Sequence, residues 1–153
     1  MYSLKTPETD AEKLAYHTIR RTSLFDERGR LGAYNDSHPD ENREGNTPFL
    51  LMDGERPVGT VRVDMPAEKD YAVLRLVAVS AAERNKGHGG YLISLVESFA
   101  HQHNRKRLVL NSAPDAVNFY RKNGFVEQVW DDEELKMTRG QVQMVKIFPE
   151  VPA

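Results

Sequence analysis

One stretch decides the fold of this chain: LVAVSAAERNKGHGGYLISLVESFA, which runs from Leu76 to Ala100. Its start belongs to an apolar segment, Val73 to Val79, that predicts a buried strand. Its end, Tyr91 to Ala100, carries apolar residues at the spacing of an amphipathic helix. Between them lies RNKGHGG, Arg84 to Gly90, with three glycines and three basic or potentially basic side chains. A flexible, cationic turn between a buried strand and a helix needs a physical reason.

Glycines in such a turn let backbone N–H groups converge and let a ligand approach the main chain closely. These N–H groups precede a helix, whose dipole also favours an anion. Arg84, Lys86 and His88 add positive charge, so the turn predicts a site for a phosphorylated ligand. The glycine spacing fits neither a Walker loop nor the GxGxxG pattern of dinucleotide sites. A tight connection that binds nothing remains the alternative.

The composition sets the broad class of protein. The chain has 153 residues, of which 39% are apolar and 29% charged, as expected for one soluble globular domain. Its 21 Lys and Arg residues nearly balance 23 Asp and Glu residues, which argues against a general nucleic-acid binder. Cysteine is absent, which excludes disulfides, thiolate metal sites and cysteine nucleophiles. The start has no apolar leader and no apolar run could span a bilayer, so we expect a cytoplasmic protein.

The first third of the chain predicts a helix and a loop. Thr9 and Glu12 fit a capping box at the start of a helix that extends to Thr22. The face predicted to be apolar comprises Ala11, Leu14, Ala15, Thr18, Ile19 and Thr22. The polar segment 34–47 is rich in turn formers and predicts a loop.

The remaining segments predict an α+β fold with a mixed, mostly antiparallel sheet flanked by helices. Three strands joined as a meander are predicted at Pro48–Asp53, Pro57–Met65 and Tyr71–Val79, with a hairpin at DGER. After the glycine turn and its helix, a strand is predicted at Arg107–Ser112 and a helix between Pro114 and Gly124. The last strand candidates are 125–130 and 141–148.

Two motifs resemble those of the GNAT superfamily of N-acetyltransferases. The first is an apolar strand end followed by Arg/Gln-x-x-Gly-x-Gly/Ala at a helix start, filled here by Val77 to Val79 and then Arg84, Gly87 and Gly89. The second lies in NSAPDAVNFYRKNGF, and its positions are filled by Ala116, Phe119, Tyr120, Gly124 and Phe125. The pair lies in the expected order and covers about residues 73–126.

The resemblance implies a GNAT-like fold and acetyl-CoA as co-substrate. In the family, amides of the glycine turn bind the CoA pyrophosphate and the end of the central strand pairs with the pantetheine arm. The cofactor-binding residues implied here are Val77, Ala78, Val79, Arg84, Asn85, Lys86, Gly87, His88, Gly89 and Gly90. The family often has an asparagine seven residues before the motif tyrosine, where this chain has Ala113. Either Asn111 or Asn118 contributes instead, or that contact is absent.

The resemblance also implies one domain over residues 1–153. Acceptor-side elements are expected over about 9–70, the CoA-binding core over about 71–126 and terminal strands over about 125–148. The 34–47 loop would lie among the acceptor-site walls, where its acidic residues could attract a cationic amine.

The reaction implied is direct attack of an amine on the acyl thioester. Tyr120 matches the family tyrosine that acts as general acid toward the departing sulfur, and a phenol of pKa ~10 is protonated at neutral pH. The general base stays open, with Asp64 and Glu68 as candidates that could equally be surface charges. Arg75 either faces the acceptor cleft or pairs with an acidic residue across the sheet. No metal is expected, since His101 and His103 point in different directions on a helix.

Three functions follow from these observations. The leading one is an acyl-CoA-dependent N-acyltransferase acting on the primary amine of a small molecule. The alternatives are a non-catalytic acyl-CoA-binding or sensing module and a protein lysine or N-terminal acetyltransferase. No nucleic-acid or membrane partner is expected, and a homodimer is compatible with the family.

Overall fold

The computed structural model describes residues 1–132 and 140–148. Ten strands and α-helices occur in these residues, in the order β1 (Tyr2–Lys5), α1 (Asp10–Leu24), β2 (Asn46–Asp53), β3 (Arg56–Asp64), β4 (Tyr71–Val79), α2 (His88–Gln102), β5 (Arg107–Ser112), α3 (Val117–Lys122), β6 (Val126–Glu127) and β7 (Val142–Ile147). Short 3-10 helices lie at Asp26–Arg28, Pro39–Asn42, Ala81–Glu83 and Pro114–Ala116.

A single seven-stranded sheet carries the fold, in the order β1-β2-β3-β4-β5-β7-β6. Every neighbouring pair is antiparallel except β4 and β5, which are parallel and joined through α2. A parallel pair needs such a crossover connection, so α2 has to follow β4 across the sheet. The predicted α+β class with a mixed, mostly antiparallel sheet is confirmed.

The parallel pair β4 and β5 is short and then opens. Pairing extends only from Tyr71 opposite Arg107 to Val73 opposite Val109. Beyond Val73, no strand among the described residues pairs with this edge of β4. The divergence leaves a cleft between the two strands at the end that leads to the glycine turn.

A β-bulge lies where β4 diverges from β5. Thr60 pairs with Ala78 and Arg62 with Arg75, so β4 holds one residue more than β3 across this interval. Leu76 has a φ of 53°, in the left-handed region, and its carbonyl accepts a hydrogen bond from the Thr60 hydroxyl at 3.3 Å. A bulge bends a strand and redirects its side chains, and bulges often lie next to active sites.

The helices α1 and α2 cover opposite faces of the sheet. The α2 face buries Leu92, Ile93, Val96 and Ala100 together with alternate residues of β2, such as Phe49 and Leu51. The α1 face buries Tyr16 and Ile19 with the intervening β2 residues Leu50 and Met52. Successive residues of a strand point to opposite faces, so β2 separates the two layers of the core.

The predicted apolar face of α1 is only partly correct, since Ile19 is buried but Ala11, Leu14 and Thr18 are exposed. The helix buries Tyr16, Ile19, Arg20 and Ser23, whereas Leu14 is 68% exposed. The spacing is still helical, but the buried side chains are partly polar because α1 packs over a buried ion-pair cluster. The capping box of Thr9 and Glu12 is present as predicted.

Other segment predictions need correction. The strand β1 was not predicted, since four residues give too short a pattern. The loop predicted over 34–47 contains the 3-10 helix Pro39–Asn42 and the start of β2. The strand predicted over 125–130 is only the two residues of β6. Part of the expected terminal-strand region, 133–139, lies outside the described residues. No helix within 1–132 and 140–148 is long and apolar enough to cross a membrane.

Candidate active site

The glycine turn presents an open helix start. Gly87 is the N-cap residue of α2 with a φ of 84°, and Asn85 has a φ of 64°. No side chain caps this end, in contrast to the capping box of α1. A Cβ added to Gly87 would meet no atom within 4 Å. The start of α2 thus has open space beside Gly87 and no side-chain cap among the described residues, an arrangement that suits an anion.

The basic side chains of the turn are paired with carboxylates. Arg84 lies 2.8 Å from Glu27 and donates to the Val79 carbonyl at 3.1 Å, while Lys86 lies 3.5 Å from Glu83. Exposed ion pairs of this kind contribute about 0–1 kcal/mol, so a phosphate can replace the carboxylate partner at little cost.

His88 lies in the turn, but its side chain faces inward. It is 4% exposed, with Nδ1 at 2.6 Å from the Tyr2 hydroxyl and Nε2 at 3.0 Å from Glu83. The Tyr2 ring also stacks on Tyr91 at 4.2 Å between centroids. His88 thus ties the start of α2 to β1, and only its backbone N–H is at the open side of the turn.

The second glycine, Gly89, serves helix packing, whereas the third, Gly90, has room for a side chain. A Cβ on Gly89 would lie 2.7 Å from two ring atoms of Phe119, and a Cβ on Gly90 would lie 3.5 Å from the Asn123 side chain. The absence of a side chain at Gly89 therefore allows α2 to approach α3. The two sequence motifs meet at this contact, and Tyr120 is the next residue.

Three adjoining cavities form one cleft along the divergence of β4 and β5. The strand-end cavity, of about 290 Å³, is lined by Val77, Ala78, Val79 and Arg84. The tyrosine cavity, of about 340 Å³, is lined by Tyr120 and shares Leu24, Arg28 and Val77 with the first. The arginine cavity, of about 410 Å³, shares Phe25, Arg30, Leu74, Leu76, Asn111 and Gln141 with the tyrosine cavity.

Tyr120 lies at the centre of this cleft. It is 7% exposed, and its ring packs edge-on against Phe119 and Phe125. Burial raises its pKa above the ordinary value of a phenol. Among the described residues its hydroxyl has no side-chain hydrogen-bond partner, so the O–H is free to donate into the cavity. A buried, neutral phenol is a hydrogen-bond donor that holds its proton firmly.

Of the two asparagine candidates, Asn111 lies at the cleft and Asn118 does not line these cavities. Asn111 lines both the tyrosine and the arginine cavity, and its Nδ2 donates to Asp132 at 2.8 Å. Its Oδ1 is buried and has no partner within the described chain. Asn118 is exposed and accepts a hydrogen bond from Arg121. Ala113 lines the tyrosine cavity.

The arginine cavity lies over a buried cluster of ion pairs. Arg20 lies 2.7 Å from Glu41, which also lies 3.4 Å from Arg62. Burial alone would raise the pKa of Glu41, but the hydrogen bond and charge of Arg20 more than offset it, with help from Tyr16, and the pKa lies below its usual value. Glu41 is therefore ionised at neutral pH and a weak base.

Neither sequence candidate for the general base lines the tyrosine or the arginine cavity. Asp64 is buried and accepts two hydrogen bonds from Arg62, at 2.7 and 2.8 Å, and one from Arg75 at 3.3 Å. Glu68 is exposed in the turn after β3. Arg75 pairs with Asp64 and Asp132, which confirms the expected ion pairing, and it also lines the arginine cavity.

Sequence reasoning missed two residues at or near the arginine cavity, Tyr34 and His17. Tyr34 lines this cavity, and its hydroxyl lies 2.5 Å from Nδ1 of His17 on α1. Arg20 Nη1 lies 3.4 Å from the same hydroxyl. The only signal in the sequence was a histidine and an arginine one helical turn apart, His17 and Arg20. Within residues 1–132 and 140–148 no three His, Asp or Glu side chains are grouped to hold a metal ion.

The fold and the open glycine turn beside a buried tyrosine define the class of protein. The profile of the Acetyltransferase (GNAT) family matches residues 12–125, and the chain belongs to this family. The family uses acetyl-CoA. Among curated proteins, this chain is similar to the Uncharacterized N-acetyltransferase YjcF of Bacillus subtilis (strain 168), with 31% identity over 86 residues. The match covers 56% of this chain and 60% of the relative, less than two thirds of its length.

Solved structures share the whole fold. An acetyltransferase from Streptococcus agalactiae has a TM-score of 0.76 at 16% identity, with 96% of this chain and 98% of that chain covered. A GNAT-family acetyltransferase from Staphylococcus aureus has a TM-score of 0.74 at 18% identity, covering 96% and 99%. The N-acetylglutamate synthase of Neisseria gonorrhoeae, complexed with coenzyme A and N-acetyl-glutamate, has a TM-score of 0.72 at 16% identity, covering 98% and 36%. At these identities the likeness concerns the fold alone.

Proposed function

We propose that this chain is an acyl-CoA-dependent N-acyltransferase that transfers acetyl from acetyl-CoA to the primary amine of a small molecule. The observation that carries the proposal is the cleft at the divergence of β4 and β5, which runs from Val79 and Arg84, at the start of the glycine turn, to Tyr120. Acetyl as the acyl group, and coenzyme A as its carrier, are supported by the family. A cytoplasmic location and a homodimer stay predictions.

The donor side fits a CoA-type ligand. The uncapped first turn of α2 and the backbone from Asn85 to Gly90 would hold the pyrophosphate, with Arg84 and Lys86 as nearby positive charges. The edge of β4 that lacks a strand partner, at Val77 to Val79, would pair with the extended pantetheine arm. His88 takes part only through its backbone, because its side chain is buried against Tyr2.

The chain has to position the thioester and the amine and to transfer protons between them. Acetyl-CoA supplies the activated acyl group, and the thioester carbon would lie near Tyr120, whose hydroxyl donates a hydrogen bond to the departing sulfur. Full proton release is costly because burial raises the Tyr120 pKa. The hydrogen bond therefore strengthens as charge develops on sulfur, and the sulfur takes up the proton that the attacking nitrogen loses as the amide forms. An alkylammonium acceptor needs about 4–5 kcal/mol to lose its proton at pH 7.

The acceptor is proposed to bind in the arginine cavity. Its volume of about 410 Å³ lies in the range of small-molecule sites. The acidic residues Asp40 and Glu41 of the 34–47 segment are paired with Arg43 and Arg20, so they do not present free charge to attract a cation. A cavity of this size favours a small amine as the acceptor.

A thiol-release assay tests this proposal directly. The chain has no cysteine, so a thiol reagent reports only the CoA set free. The acceptor panel contains polyamines, aminoglycosides, free amino acids and a lysine-containing peptide. We expect saturable turnover of at least one small primary amine. Turnover of the peptide alone would favour the protein-acetyltransferase alternative, and acetyl-CoA binding without any turnover would favour the sensing alternative.

A further inference from the structure

The described carboxylates that line the arginine and tyrosine cavities are poor acceptors for the proton of an attacking amine. Glu41 is held ionised by Arg20 and Arg62. Asp40 is buried and lies 2.8 Å from Arg43. A carboxylate in such a pair has little basicity to offer, since protonation would break the ion pair. The proton of the ammonium therefore needs another route out of the cavity.

Tyr34 and His17 lie on such a route. The Tyr34 hydroxyl lies 2.5 Å from Nδ1 of His17 and accepts from Arg20 Nη1 at 3.4 Å. In the Nε2–H tautomer of His17, the Tyr34 hydroxyl donates to Nδ1 while its oxygen accepts from Arg20, which is the arrangement that a proton relay requires. Tyr34 lines the arginine cavity, whereas His17 is half-exposed on α1. The pair thus connects the cavity to solvent through two hydrogen-bonding groups.

The surroundings of His17 keep its imidazole neutral. The groups that face it are Tyr16, Arg20 and Arg21 on α1, Tyr34 and Asp36 on the following segment, and Glu41 on the 3-10 helix. Burial lowers the pKa of His17 first, and the charge of Arg20 lowers it further, while Asp36 and Glu41 oppose both. The pKa lies below the ordinary value of about 6.5, so the ring is a free base at pH 7.

We propose that Tyr34 and His17 form the proton relay that deprotonates the acceptor amine, an inference that rests on the N-acyltransferase function above. One N–H bond of the ammonium breaks as its proton passes to the Tyr34 oxygen, and the Tyr34 hydroxyl proton passes to Nδ1 of His17. The imidazolium releases one proton to solvent and returns to the neutral ring. The second amine proton, lost when the amide forms, is balanced by the proton that the CoA sulfur takes up beside Tyr120.

The activity test is a pH profile of kcat/KM for His17→Gln and Tyr34→Phe, with the panel amine that the parent protein turns over fastest. We expect kcat/KM of both variants to fall by about 10- to 100-fold at pH 7. This loss lies at or below the lower end of the usual contribution of acid–base catalysis. Their rates should approach the parent as pH rises toward the amine pKa, where no relay is needed. His101→Gln, on the exposed end of α2, is the matched control and should keep the parent profile.

A second measurement determines the tautomer and protonation state of His17 without any enzymatic turnover. Long-range proton–nitrogen NMR spectra of the free protein, with His17 assigned through His17→Gln, should show the Nε2–H tautomer at neutral pH. Tyr34→Phe should shift the Nδ1 resonance by removing its hydrogen bond. A proton on Nδ1, or an imidazolium at pH 7, would overturn the relay.

The outcomes separate the relay from the proposed function. If the parent protein turns over an amine but the His17→Gln and Tyr34→Phe profiles equal its own, the relay is rejected and the N-acyltransferase function stands. If the parent protein turns over none of the amines, both are rejected. Calorimetry of acetyl-CoA on each variant checks folding, since donor binding should be unchanged.

Discussion

Tyr120 is the side chain on which the proposed transfer chemistry depends most. Its position follows from short-range causes: α3 begins at Val117 after a 3-10 turn that starts at Pro114, and Phe119 packs on Gly89. These contacts fix the ring at the base of the cleft. The hydroxyl is the polar end of an otherwise apolar side chain, which is why burial affects its pKa so strongly.

Tyr120→Phe should therefore lower kcat by about 100-fold while leaving the Kd for acetyl-CoA within about twofold, since only a hydrogen bond to the departing sulfur is lost. Stopped assays of CoA release and calorimetry measure the two quantities. Tyr91→Phe, at a ring that stacks on Tyr2 outside the cleft, is the control. An undiminished kcat in Tyr120→Phe would remove this residue from the mechanism.

At this scale the proposed donor side can be recognised from the sequence, whereas the proposed acceptor side cannot. Val77, the glycine turn and Tyr120 are local in sequence, and their motifs can be recognised from spacing. His17 lies on a helix and Tyr34 on a loop, and the fold brings the two side chains together. Asp64 accepts hydrogen bonds from Arg62 on its own strand. Such pairings depend on tertiary packing, which a periodicity analysis does not contain.

The contact between α2 and α3 is the element-scale feature that couples the two motifs. A methyl group at Gly89 would collide with the Phe119 ring at 2.7 Å, whereas one at Gly90 would make ordinary contact at 3.5 Å. Both residues lie in the first turn of the same helix. They therefore form a matched pair in which only the packing environment differs.

Gly89→Ala should lower the free energy of unfolding by about 1–3 kcal/mol, as overpacked contacts do, and should lower kcat by displacing the helix that carries Tyr120. Gly90→Ala should be neutral or stabilising, because alanine is a better helix former than glycine. Urea denaturation of both variants measures the difference. Equal stabilities for the two would show that the α2–α3 contact is loose.

The α1 helix shows where element-scale prediction failed and why. Its apolar residues suggested a face containing Leu14, but the helix buries Tyr16 against apolar residues of β2 and Arg20 in the ion-pair cluster instead. The central strands were predicted well, because β3 and β4 follow the strand pattern closely. The divergence of β4 from β5 could not be predicted, since it depends on pairing between distant segments.

At the scale of the whole molecule, the buried ion pairs join α1, the 3-10 helix at 39–42 and the sheet. Glu41 accepts hydrogen bonds from Tyr16 and Arg20 of α1 and from Arg62 of β3. Removing one partner from such a cluster leaves an uncompensated buried charge. The cluster therefore links the acceptor-side walls to the stability of the fold.

Glu41→Gln should reduce the free energy of unfolding at pH 7 by about 3 kcal/mol, as loss of one partner of a buried pair does. The folded-state pKa of Glu41 lies below its unfolded value near 4.5. Its contribution is therefore complete above about pH 4.5 and is lost as pH falls through the folded-state pKa. Urea denaturation between pH 3 and 7 should show a shallower acid decline in Glu41→Gln than in the exposed control Glu55→Gln. Identical pH slopes in the two variants would refute this account of the cluster.

The central claim is that the glycine turn binds acetyl-CoA, and titration calorimetry tests it most directly. Gly87 and Gly54 both have positive φ, 84° and 63°, and both have open space where a Cβ would stand, but only Gly87 lies at the turn. We expect one acetyl-CoA per chain for the parent protein and for Gly54→Ala, at least 10-fold weaker binding for Gly87→Ala, and no comparable binding of ATP or NAD. Absence of acetyl-CoA binding by the parent protein at millimolar ligand, or equal affinity in Gly87→Ala, would contradict the claim.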